Sequence, residues 1–110
     1  MAISHNMSES GSMLDRVREE VELLSRHIDM LKLIKELQPI GIIRLSEVLE
    51  LPKHKVRYSL RLLEKDGLIL ATTDGAKVSE NYGEFMQDLP KRLDGLIEQL
   101  ERIRSESSDR

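Results

Sequence analysis

Five cations fall within sixteen residues between Leu51 and Asp66: Lys53, Lys55, Arg57, Arg61 and Lys65. Only Glu64 and Asp66 oppose them, a local charge of +3 in a chain whose net charge is -3. Ammonium and guanidinium groups at this density suit phosphate, and a guanidinium also makes a forked pair with a guanine edge. Val56, Leu60 and Leu63 recur at spacings of 4 and 3, the period of one buried helical stripe. That leaves Lys53, His54, Lys55, Arg57, Tyr58 and Arg61 on the outward side of the same helix. Tyr58 adds a hydroxyl for phosphate or an apolar edge for a thymine methyl.

Other chemistries find little support. Without cysteine there is no thiolate nucleophile, no disulfide and no Cys-ligated metal. The three histidines, His5, His27 and His54, are scattered, and His27 reads as helix surface beside Ile28. No Gly-rich phosphate loop, activated nucleophile or distinct carboxylate pair stands out. The sequence therefore predicts neither an enzyme nor a bound metal or cofactor. A pI of about 5.6 argues against indiscriminate attraction to nucleic acid, so any such attraction must be local. No apolar run is long enough to span a membrane and no signal-peptide pattern opens the chain, so the expectation is a cytoplasmic protein.

The elements around the basic helix follow from periodicity. Residues 1–12 are Ser-rich without an apolar period and read as a disordered tail. From Leu14 the residues Val17, Val21, Leu24, Ile28 and Leu31 follow at 3 and 4, predicting a helix from Met13 to Gln38 whose first half faces a partner helix. Pro39 and Gly41 stop it. Leu45, Val48 and Leu49 fit a short helix carrying Arg44 outward; Ile42 and Ile43 before it fit either a brief strand or the start of that helix. Pro52 suits the first position of the basic helix, and Gly67 suits a left-handed residue at its end. A hairpin follows, with strands Leu68 to Thr72 and Ala76 to Ser79 around an Asp74-Gly75 turn. Leu89, Leu93, Leu96, Leu100 and Ile103 then repeat the 3 and 4 spacing, predicting a last helix capped by Asp88, with Pro90 in its first turn and Gly95 inside it, running to about Arg104.

Helix, short helix, basic helix, hairpin and final helix, together with the stretch "LSEVLELPKHKVRYSLRLLEKDGLI", resemble the winged helix-turn-helix transcriptional regulators. The resemblance covers roughly residues 28 to 82, and the flanking helices are similar to those of the small dimeric arsenic-repressor, multiple-antibiotic-resistance and PadR groups. It implies a mainly α fold with a small β-hairpin. The expected division is a disordered tail over 1–12, a winged-helix domain over 13–87, a dimerisation helix over 88–104 and a frayed tail over 105–110. It also implies a homodimer that reads a near-palindromic duplex operator, with Thr73 and Lys77 as wing contacts and Arg44 as a backbone contact beside the basic helix. The dimer surface would use Leu14, Val17, Val21 and Leu24 from the first helix and Leu89, Leu93, Leu96, Leu100 and Ile103 from the last. Two positions depart from the pattern: Glu50 stands where a turn glycine is common, and Pro52 where Ser or Thr is common. The competing expectation is that the same fold binds protein within a transcription or chromosome complex. The residues point to no particular small-molecule effector.

Overall fold

The computed structural model describes residues 2–108, with side chains from 12 to 107. Four helices and one hairpin follow in the order α1 (Ala2–Leu37), α2 (Ile42–Leu49), α3 (Lys53–Lys65), β1 (Ile69–Thr72), β2 (Gly75–Val78) and α4 (Tyr82–Ser108). The fold is mainly helical with a small two-stranded antiparallel sheet.

Apolar side chains from every segment converge at the C-terminal half of α1. Met30, Leu31, Ile34, Leu45, Val56 and Leu63 are fully or almost fully buried, joined by Ile40, Leu68, Ile69 and Ala76. Each large side chain in this cluster contributes about 2 kcal/mol by leaving water. α3 adds a residue that the hydrophobic spacing missed, because Ser59 is fully buried beside Val56 and Leu63 while Leu60 is only half-buried. A small side chain there lets α3 approach its neighbours closely. Its hydroxyl finds no hydrogen-bond partner among the described residues.

Both ends of the helix pair are closed by left-handed residues, and here the Glu50 departure becomes clear. Glu50 has φ 54° and ψ 45°, with its N–H donating to the Glu47 carbonyl and the Leu51 N–H donating to Ser46. These two bonds satisfy carbonyls that the end of α2 would otherwise leave open. The Ser46 hydroxyl also donates to the Leu51 carbonyl. Gly67, at φ 76°, closes α3 in the same way through Gly67 N–H to Glu64 and Leu68 N–H to Leu63. A glutamate in this conformation carries a Cβ penalty of about 1 kcal/mol that glycine avoids. Glu50→Gly is accordingly expected to raise stability by about 1 kcal/mol, measured as a melting temperature several degrees higher.

The hairpin is seated by a third piece of chain. Ile40 and Ala76 exchange two backbone bonds of 3.1 and 2.8 Å, and the Gln38 side-chain oxygen accepts from the Val78 N–H at 2.9 Å. Ile40 therefore makes the strand-like pairing, while Ile42 and Ile43 open α2. The turn lies one residue earlier than expected. Thr72 pairs with Gly75, so Thr73 and Asp74 form the loop. Of the turn residues only Gly75 has a positive φ, 131°. The Thr72 hydroxyl holds the loop, donating to the Gly75 carbonyl at 2.6 Å and accepting from the Asp74 N–H at 3.2 Å.

Other boundaries also move. α1 starts at Ala2, so the segment read as a disordered tail is helical in its backbone from residue 2. Extending a nucleated helix adds one hydrogen bond per residue, and no proline interrupts it. Pro52 is the N-cap of α3 (φ -61°, ψ 149°), one position before the first helical residue. α4 starts at Tyr82 instead of after an Asp88 cap, placing Pro90 inside it. A proline there removes one backbone donor and costs about 3 kcal/mol in isolation. Packing of Tyr82 and Phe85 on the core offsets that cost, together with Lys35 Nζ 5.8 Å above the Tyr82 ring. Hydrogen bonds from Ser79 Oγ and Asn81 Nδ2 to the Gly67 carbonyl fix the approach. α4 continues to Ser108, past the predicted fraying at 105.

His27 is not simple helix surface. It is half-buried, and its Nε2 is enclosed without a partner among the described residues. Burial lowers its pKa, assisted by Arg26 and opposed by Asp66 and Glu20. The folded state thus disfavours the imidazolium, so the neutral ring's contribution is complete above the unfolded pKa of about 6.5 and is lost as pH falls through the folded value. Thermal melts from pH 7.5 down to 5 are expected to show falling stability, with a shallower fall in His27→Gln.

Beyond this core the molecule is long and thin. Its radius of gyration is 17.7 Å, against about 13 Å for a compact domain of this length. α1 and α4 account for the difference by projecting exposed apolar residues past the core.

Candidate nucleic-acid interface

All nine residues singled out for nucleic acid are exposed: Arg44, Lys53, His54, Lys55, Arg57, Tyr58, Arg61, Thr73 and Lys77. Exposure follows from helix geometry once Val56, Ser59 and Leu63 point inward. Five of the nine come together, since His54, Lys55, Arg57, Tyr58 and Arg61 line one shallow concavity on α3. Arg26 from α1 completes it. Sequence reading missed Arg26 because it lies 28 residues before His54 and its own helix shows no basic face; only the crossing of α1 with α3 brings it there.

Arg57 and Arg61 are spaced one helical turn apart and also line a second, larger groove between α3 and the hairpin. Its far wall carries Thr72, Thr73 and Asp74, and its floor is apolar, with Ile40, Leu60 and Ile69. The two arginines thus form a ridge between the α3 concavity and the hairpin. Thr73 shares a surface with them.

The other predicted contacts lie elsewhere. Lys77 pairs across the hairpin with Leu70, both exposed, while Ala76 on the opposite face is buried. The lysine is therefore on the outer face of the hairpin. Arg44 lines a separate depression with Leu37, Pro39 and Gly41. Lys53 is exposed at the start of α3. Lys55 is shared with a further depression containing Glu22 and Asp29 of α1, whose carboxylates weaken its pull on an anion. The start of α3 has no side-chain cap, so its first N–H groups remain available.

The predicted dimer residues divide by exposure. Leu14, Val17, Val21, Leu96, Leu100 and Ile103 are exposed, while Leu24, Leu89 and Leu93 are half-buried around a cleft between α1 and α4. Among the described residues no helix is long and apolar enough to cross a membrane, and no three metal-ligating side chains meet.

The chain matches no family model and no curated protein sequence. Its functional reading rests on the residues and their placement.

Proposed function

We propose that the chain is a winged helix-turn-helix regulator of transcription that binds double-stranded DNA as a homodimer, with α3 in the major groove and the hairpin as wing. The observation that carries this reading is the ridge of Arg57 and Arg61, flanked on one side by His54, Lys55, Tyr58 and Arg26 and on the other by Thr72 and Thr73. One cationic surface of this kind can follow a phosphate backbone while an arginine reaches a base edge. Exposed apolar seams on α1 and α4 support pairing of two copies, which would present two α3 helices to one near-palindromic site.

A second reading has its own support. The groove between α3 and the hairpin is floored by apolar residues and also lined by Glu64 and Asp74, whose carboxylates repel phosphate. That lining suits a peptide partner in a transcription or chromosome complex.

Fluorescence anisotropy of a random-sequence duplex against salt separates the two. With about three phosphate contacts per subunit, log K against log salt should fall with a slope of about -5. Absence of binding even at low salt would reject the DNA reading in favour of the protein-binding one.

A further inference from the structure

The exposed part of α4 has a pattern that selects its occupant. Leu96, Ile97, Leu100 and Ile103 are each at least half-exposed, whereas Met86, Leu89 and Leu93 are already half-buried toward the chain's own core. The free seam is therefore confined to the last turns of the helix. In heptad terms Met86, Leu93 and Leu100 occupy a, and Leu89, Leu96 and Ile103 occupy d. Arg92, Gln99 and Glu106 then fall at g, and Pro90, Ile97 and Arg104 at e.

These flanking positions distinguish the possible pairings of α4 with a second copy. A parallel pair sets each g residue beside the partner's e residue five positions later, giving Arg92 with Ile97 and Gln99 with Arg104, with no opposite charges matched. An antiparallel pair sets g beside g. When Leu96 meets the partner's Leu100, and Leu93 the partner's Ile103, Arg92 falls beside the partner's Glu106 on both sides of the two-fold axis. Gln99 then meets Gln99, and Ile97 meets Ile97. A register one heptad earlier would align more apolar layers, but only by drawing on Met86 and Leu89, which the chain's own fold half-covers. It would also leave Arg92 opposite Gln99.

We infer that α4 docks antiparallel against α4 of a second copy, centred near residue 98, with Leu96–Leu100 layers at the middle and Arg92–Glu106 pairs at the rim. The inference rests on the homodimeric reading above and specifies its surface and orientation. The two Arg92–Glu106 pairs set the register, since an exposed pair adds only a few tenths of a kcal/mol while a like-charge juxtaposition is penalised.

Because the chain has no cysteine, single introduced cysteines report proximity without background. The probe is a short bismaleimide linker on the full chain, with sedimentation run in parallel. Gln99→Cys should cross-link to itself almost completely. Arg92→Cys and Glu106→Cys should each fail alone, because like residues lie fourteen positions apart along the pair, about 21 Å. Their mixture should cross-link efficiently. Self-linking of Arg92→Cys would overturn the inference in favour of parallel pairing. Dimers by sedimentation with no α4 cross-link would overturn it in favour of another surface and leave the homodimer standing. Monomers at the same concentration would overturn the homodimeric reading together with it.

Discussion

Replacing Arg57 and Arg61 together by alanine is expected to weaken duplex binding about a thousandfold near 0.1 M salt and to flatten the salt slope from about -5 to about -2. Each subunit would lose two of its roughly three phosphate contacts, and log K changes by about 0.9 of a slope unit for each contact in the dimer. The effect should fall on binding alone. Both side chains are exposed and point away from the Val56, Ser59 and Leu63 stripe, so stability should stay within about 0.5 kcal/mol of the parent. Anisotropy titrations at four salt concentrations, with a thermal melt of the same variant, measure both quantities. Unchanged affinity with an unchanged melt would remove the arginine ridge from any account of DNA binding.

The largest loss of stability is expected at Gly75. Its φ of 131° lies in a region that side chains rarely adopt. A Cβ built there would sit 2.6 to 2.7 Å from the backbone N, C and O of Ile40. Those atoms are fixed by the two bonds that Ile40 exchanges with Ala76, so they have no room to yield. Gly75→Ala should therefore strain the turn and push the hairpin off the segment that seats it. Backbone strain of 1–3 kcal/mol and overpacking of similar size suggest a combined loss of about 3 kcal/mol or more, a fall in melting temperature of roughly 12 °C or more. Asp74→Ala is the informative neighbour. Asp74 has no positive φ, and only its backbone N–H enters the turn bonds, so its substitution should change stability by no more than about 0.5 kcal/mol. Chemical denaturation of the two variants side by side tests the assignment. Equal losses would return the turn to Asp74-Gly75.

The identity of each helix and of the hairpin was legible in local periodicity. A stripe such as Val56 and Leu63 reveals itself within one element, and so does the cationic face opposite it. The left-handed Gly67 was legible for the same reason, since glycine at the end of an apolar period has few other uses. Local rules failed where a distant contact outweighed them. Glu50 occupies a left-handed position that its side chain disfavours, because the α2–α3 turn brings Leu45 and Val56 into one core. Pro90 lies inside α4 although it is a poor helix interior residue, because Tyr82 and Phe85 gain burial by starting the helix earlier.

The candidate interface divides along the same line. By itself the sequence determined that α3 would be a helix, which residues it would turn outward and that they would be cationic, since all three depend on spacing within thirteen residues. Only the tertiary structure decided that Arg26 joins them, that Lys77 and Arg44 face elsewhere, and that the hairpin turn sits at Thr73 and Asp74. Those outcomes depend on how α1 crosses α3 and on where Ile40 pairs with Ala76, contacts between residues far apart in the chain, on which helical and strand periodicity carry no information.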